Sequence, residues 1–127
     1  MISRTLTKRI NRTIFPLQYI LDNHRHYTFI FRRNKLLSVG HNSTLTHPLA
    51  QRFGCLAIHA ELKAIQLLDN KEILPKCKVI NVRINKRGQF RLSSPCQSCC
   101  KLLSYLGVQQ VYYSTSQGRY EKLLLKT

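Results

Sequence analysis

The chain has 127 residues, with 21 Lys and Arg against 5 Asp and Glu, a formal charge of +16, and 43% hydrophobic residues. A chain of this length builds one core, since domains take about 100–200 residues, so a single domain over 1–127 is expected, with residues 1–12 as a basic arm. No apolar run approaches the roughly 18 residues of a membrane span, and the apolar content is too high for a disordered polycation.

Residues 1–21 hold Arg4, Lys8, Arg9 and Arg12 and no carboxylate. This composition is weakly transit-peptide-like. A secretory signal would need an apolar stretch of about 7–15 residues, which Pro16 and Gln18 interrupt, so an intracellular protein is expected. Pro16 suits the first turn of a short helix carrying Leu17, Ile20 and Leu21 on one face.

Tyr27, Phe29 and Phe31 alternate with Thr28 and Ile30. The polar turn Arg33-Asn34-Lys35 then leads into Leu36–Val39, a β-hairpin in which Asn34 suits the left-handed turn position. Residues 41–55 show no period and are read as a loop. Ile58, Leu62, Ile65 and Leu68 form a helical stripe. Cys77–Asn85 is a strand, with Ile80, Val82 and Ile84 alternating with Asn81, Arg83 and Asn85.

Pro95 opens a further helix with Cys99, Leu103 and Leu106 on one side and Gly107 as its cap. Val108–Ser114 is a β-branched and aromatic strand. Too few residues follow for a parallel return, which needs a crossover of about a dozen. After the turn Ser116-Gln117-Gly118, Tyr120–Leu125 is read as an antiparallel fifth strand, with a short helix as the alternative.

The five cysteines, Cys55, Cys77, Cys96, Cys99 and Cys100, are odd in number and unevenly clustered, which suits metal binding or buried thiols better than a disulfide framework. His59-Ala60-Glu61 begins one helix and Pro95-Cys96-Gln97-Ser98-Cys99 the next. One imidazole and two thiolates make three zinc ligands, leaving a fourth position for water, as a catalytic zinc requires. Glu61 is two positions from His59, so both reach one site only at a helix entrance. There Glu61 serves as a proton carrier.

A closed structural zinc site is the competing reading, with Cys55, Cys77 or Cys100 completing the coordination. An acid at the spacing of Glu61 has no use there. Cys55 and Cys77 read as buried apolar residues, and Cys100 as pointing away from the metal.

The pattern is similar to that of the zinc-dependent cytidine and deoxycytidylate deaminase superfamily, His-x-Glu followed by Pro-Cys-x-x-Cys. The resemblance extends from about residue 27 to 115. Residues 59–65 and 106–113 resemble the deoxycytidylate-type members, and Ser94-Pro95-Cys96 the polynucleotide cytosine deaminases. Gly40-His41-Asn42 resembles the family's Gly-x-Asn. The interval of thirty-three residues between Glu61 and Pro95 is generous, and Cys100 is not part of the motif.

The resemblance implies an α/β fold, a three-layer α/β/α sandwich around a mixed five-stranded sheet. It implies Zn²⁺ on His59, Cys96 and Cys99, with Glu61 moving protons as cytosine becomes uracil. It assigns the Asn42 side chain to the sugar, the Ala60 N–H to the pyrimidine carbonyl and the Ser94 carbonyl to the exocyclic amine. Water on Zn²⁺ has its pKa lowered toward about 7.

A nucleotide needs one or two cationic contacts, whereas a single-stranded nucleic acid needs a basic groove following many phosphates. The charge therefore favours single-stranded nucleic acid, DNA slightly ahead of RNA. Arg32, Arg33, Arg87 and Arg91 are the candidate contacts, and Tyr27, Tyr112 and Tyr113 are candidates for base stacking. A pyrimidine nucleotide is the alternative substrate, followed by adenosine in tRNA, or an idle binding module on the same fold.

Overall fold

A computed structural model describes residues 2–17, 25–41, 60–85, 87 and 89–123. Helix α1 (Arg4–Leu17) is followed by strands β1 (Arg25–Arg32) and β2 (Lys35–His41), then helix α2 (Ala60–Gln66) and a 3₁₀ helix (Lys71–Lys76). Strands β3 (Lys78–Ile84) and β4 (Phe90–Arg91), helix α3 (Gln97–Tyr105) and strands β5 (Gln110–Ser114) and β6 (Tyr120–Leu123) complete the described chain. Among the described residues, no helix is long and apolar enough to cross a membrane.

The first helix departs from the sequence reading. Ile2, Leu6, Ile10 and Ile14 recur every four residues and are all buried, Ile10 completely. Burying aliphatic side chains of this kind contributes about 1.5–3 kcal/mol each, so this stripe sets the helix from Arg4 onward. Most of the expected basic arm is therefore helical, and Pro16 stands in the last turn instead of the first. Ile20 and Leu21 lie outside the described residues.

The sheet is mixed, in the order β2-β1-β3-β5-β6, with β4 beside β3. Strand β1 is antiparallel to both β2 and β3, β3 is parallel to β5, and β6 returns antiparallel to β5. The antiparallel last strand is as expected. Among the described residues the sheet has six strands instead of five, because Asn85 folds the chain back on itself. Its side-chain oxygen accepts from the Arg87 and Gln89 N–H groups, each at 2.9 Å, and its own N–H donates to the Gln89 carbonyl at 3.0 Å. Strand β4 then pairs Arg91 with Arg83 and Phe90 with Ile84. This hairpin, with the 3₁₀ helix, accounts for the long interval between Glu61 and Pro95.

Helices cover both faces of the sheet. On one side the α1 stripe packs with Tyr27, Phe29, Phe31, Ile80, Val82, Ile84 and Tyr112. On the other, Leu62, Ala64, Ile65, Leu68, Cys99, Leu102 and Leu103 pack with Ile30, Val79 and Val111. The Ile58 end of the predicted stripe and the loop from 42 lie outside the described residues.

Three turns among the described residues carry positive φ, one of them at Gly118, at 75°. In the β1–β2 turn it is Arg33, at 55°, and not Asn34 as expected. Register explains the difference: Arg32 pairs with Lys35, which leaves a two-residue loop whose first position is Arg33. Gly107, at 81°, closes α3 as the sequence indicates.

Strand β2 touches α2 directly. A Cβ on Gly40 would collide with the Ala64 backbone nitrogen and the Ala60 carbonyl oxygen, and would lie 2.9 Å from Ala64 Cα. Ser38 secures the same approach by donating to the Ala64 carbonyl at 2.8 Å. Because these obstacles are backbone atoms, Gly40→Ala should force α2 outward and cost about 1–3 kcal/mol or more. Urea denaturation monitored by circular dichroism measures this; unchanged stability would show that β2 and α2 have room to spare.

Candidate active site at the carboxyl edge of the parallel strands

Strands β2, β3 and β5 all run in one direction, since β2 and β3 are each antiparallel to β1. In open α/β sheets the crevice outside the carboxyl ends of such strands is where ligands bind. Helix α2 follows β2 and helix α3 follows the β3–β4 hairpin, so the first residues of both enter at that edge.

Register places a row of residues across the sheet beneath these helices. Gly40 is opposite Thr28, Thr28 opposite Asn81, and Asn81 beside Tyr113. Thr28 and Asn81 are 0% and 2% exposed. The Thr28 hydroxyl donates to Asn81 Oδ1 at 2.7 Å and stands 3.4 Å from Glu61 Oε1. Glu61, itself buried, is thus held against a polar patch in an otherwise apolar sheet.

The other wall is the start of α3. Cys96 is its N-cap, with Sγ accepting from the Cys99 N–H at 3.4 Å. Cys99 is buried and Cys96 exposed. The Cys99 thiol is pushed far up from its ordinary value, first by its hydrogen bond with Cys96, then by burial, then by the Glu61 charge. Glu61, Cys96 and Cys99 therefore share one locus, where each negative charge raises the cost of the next. A divalent cation relieves that crowding, and two thiols beside a carboxylate are the donor chemistry zinc accepts.

His59 and Asn42 lie outside the described residues. Accordingly, no group of three His, Cys, Asp or Glu side chains among the described residues is placed to hold a metal ion. Of the three zinc ligands expected from sequence, Cys96 and Cys99 are among the described residues. Ala60, first in α2, is buried, and Ser94, two residues before the N-cap, is exposed.

Of the other described cysteines, Cys77 lies away from the cluster, whereas the Cys100 thiol is pushed up by burial and then by the Cys96 and Glu61 charges. Cys77 precedes β3 and donates to the Ile73 carbonyl at 3.3 Å. That places it at the opposite end of a seven-residue strand, about 20 Å from the carboxyl edge at 3.3 Å per residue. Burial raises its thiol pKa, partly offset by the nearby Arg32 charge. Cys100 Sγ points to the Pro95 carbonyl at 3.7 Å. Cys55 lies outside the described residues.

The four candidate arginines divide into two pairs. Arg87 and Arg91 belong to the β3–β4 hairpin at the carboxyl edge, both exposed. Arg32 and Arg33 occupy the β1–β2 turn, four to five residues along β1 from Thr28 and hence about 13 Å or more away. They are not brought to the Glu61 locus. Tyr27 and Tyr112 are core residues on the α1 side, which removes them as base-stacking platforms, whereas Tyr113 lies in the Asn81 row and donates to Glu121 at 3.0 Å.

Thr28 and Asn81 were not singled out from sequence. Their signal was a polar residue inside each apolar strand, in Tyr-Thr-Phe-Ile-Phe and Val-Ile-Asn-Val. Arg83 is a further addition. It pairs directly with Arg91, and like charges so placed are destabilising, on the face that carries Asn81 two residues earlier.

Thr28→Val keeps the shape but removes the hydroxyl between Asn81 and Glu61. It should cost about 1–3 kcal/mol, the usual penalty of a stranded buried polar group, with Thr28→Ser recovering most of the loss. Thermal or chemical denaturation of both variants decides this, and equal stability of Val and wild type would mean the contact contributes nothing.

No protein-family model matches the sequence, and no curated protein matches it. Among solved structures, the fold is similar to that of dCMP deaminase from the cyanophage S-TIM5. Its apo form aligns with a TM-score of 0.56 at 16% identity over 90% of this chain and 86% of that one. The same enzyme in complex with dCMP and dUMP aligns with a TM-score of 0.55 at 16% identity, over 93% and 90% of the two chains. At that identity the likeness is one of fold: this chain has the mixed α/β architecture of a dCMP deaminase.

Proposed function

We propose that the chain is a single-domain, zinc-dependent deaminase that hydrolyses the exocyclic amine of cytosine to give uracil and ammonia. The observation that carries this reading is the meeting of Glu61 with Cys96 and Cys99 at the carboxyl edge of the parallel strands. The likeness of fold to a dCMP deaminase supports it independently.

His59, Cys96 and Cys99 would hold the zinc, which when bound supplies a Lewis acid able to activate water near neutral pH. Glu61 accepts the proton of the attacking water, carries it to ring N3 as C4 is attacked, and delivers a proton to the departing amine. Thr28 and Asn81 hold the carboxylate from behind. The Ala60 N–H and Ser94 carbonyl orient the ring through its carbonyl and amine, and Asn42 holds the sugar.

Two substrate classes share this chemistry. Likeness to the dCMP deaminase fold favours a free pyrimidine nucleotide, whose phosphate the Arg83–Arg91 pair would receive. The +16 charge favours single-stranded nucleic acid, with Arg87 and Arg91 beside the pocket. Mass spectrometry after incubation with dCMP, cytidine, a cytosine-containing DNA strand and the matching RNA separates them.

Conversion of dCMP alone would assign the enzyme to the nucleotide pool, and uracil in an oligonucleotide alone would make it a polynucleotide editor. No conversion of any cytosine substrate by zinc-loaded protein would overturn the proposal. Glu61→Ala should retain zinc by metal analysis while losing about 10²–10⁴-fold in rate, the range for removing a general acid–base. Full activity of this variant would overturn the role of Glu61. Cys99→Ala should lose zinc as well as activity.

A further inference from the structure

Helix α1 lies on the sheet face opposite Glu61, and its outward side has no part in the deaminase chemistry. The buried stripe of Ile2, Leu6, Ile10 and Ile14 fixes which side faces out. At 100° per residue the opposite pole carries Arg4, Lys8 and Arg12, spaced i, i+4, i+8, with Arg9 beside them. All four are exposed, and the other exposed positions among residues 4–14 are Thr5 and Asn11. Successive cations on this ridge are about 6 Å apart along the axis.

The arrangement runs against the intrinsic preferences of a helix in two ways. Like charges at i, i+4 are destabilising, and the ridge contains two such pairs. Cations near an N-terminus oppose the helix dipole, and the first turn of α1 has no acidic residue. With 5 acids to 21 bases in the whole chain, charge of the opposite sign is most readily found outside it.

We propose that the outer face of α1 is a docking surface for the phosphodiester backbone of a single-stranded nucleic acid, separate from the pocket at Glu61. A row of cations on a straight ridge complements a row of phosphates. Duplex DNA fits less well. A helix that reads a major groove must enter it, and the groove is about 12 Å wide, whereas α1 lies flat along the sheet through its buried stripe. The described exposed side chains of the helix are Arg, Lys, Thr and Asn, which suit phosphate and not base. This inference goes beyond the proposed deamination and holds for either substrate class.

Fluorescence anisotropy with a labelled 20-nucleotide oligo-dT strand, which contains no cytosine, tests it without reference to catalysis. Binding is titrated at several salt concentrations for the wild type and for Arg4→Gln/Lys8→Gln/Arg12→Gln. Each phosphate contact on a single strand contributes a slope of about −0.7 in log K against log salt, so the triple variant should lose about 2 from the slope and bind at least tenfold more weakly at low salt. Its melting temperature should not fall, because the buried stripe is intact and two like-charge pairs are removed. If the triple variant folds poorly, the three single variants, each losing about 0.7 of slope, answer the same question.

Equal affinity and slope in variant and wild type would overturn the proposal, as would a wild type that does not bind the strand. Anionic phosphatidylserine vesicles form a parallel arm. A triple variant that loses vesicle binding but keeps oligonucleotide binding would assign the ridge to a membrane surface and overturn the proposal.

Discussion

The close approach of Gly40 of β2 to Ala60 and Ala64 of α2 governs the placement of Glu61. No other residue type fits at 40 without moving the helix. Because α2 is seated there, its first turn overhangs the row formed by Gly40, Thr28 and Asn81, and the carboxylate meets the Thr28 hydroxyl. A glycine without polar atoms thus decides the position of the one acid on which the proposed chemistry turns. The Ser38–Ala64 hydrogen bond holds the same seam a turn further along the helix.

A carboxyl group, a hydroxyl, an amide and a thiol meet in this site under two helices, in a region otherwise filled by Ile30, Leu62, Val79 and Leu103. Burying polar groups is unfavourable unless they bond one another. Thr28 and Asn81 satisfy part of that requirement at 2.7 Å, but the Cys99 thiol is pushed up by its hydrogen bond with Cys96, by burial and by the Glu61 charge. A purely structural core would place apolar side chains at these positions. The retained cost is explicable where the groups act on a cation and a substrate.

The sequence disclosed the site more readily than its surroundings. His-x-Glu and Pro-Cys-x-x-Cys are short, local and chemically constrained, so Glu61, Cys96 and Cys99 were legible as a set, and the structure brings those three together. Thr28 and Asn81 were not, because β1 and β3 are covered on both faces. Alternation along Cys77–Asn85 reads as one buried and one solvated side, yet Asn81 faces helices and not water. The β3–β4 hairpin was hidden for another reason. It rests on the Asn85 side chain folding the chain back to Gln89, a local capping event without periodicity. In α1 the proline at position 16 drew attention from the four-residue repeat of aliphatic side chains preceding it. Proline is a strong local signal, but the repeat decides where burial is gained.

The charge, too, becomes interpretable once it is placed on the fold. Read as a total, +16 says only that an anion is favoured. In the structure the cations separate into a ridge on α1, a turn at Arg32 and Arg33, and the β3–β4 hairpin with Arg83, Arg87 and Arg91. Of these three groups the hairpin lies at the carboxyl edge; the ridge is on the far side of the sheet and the turn at its other end. A field distributed in this way attracts a polyanion from several directions, whereas one nucleotide phosphate needs only the hairpin. The proposed catalysis at Glu61 and attraction over the remaining surface are therefore separable properties of one fold, and the distribution of charge bears on the second without deciding the first.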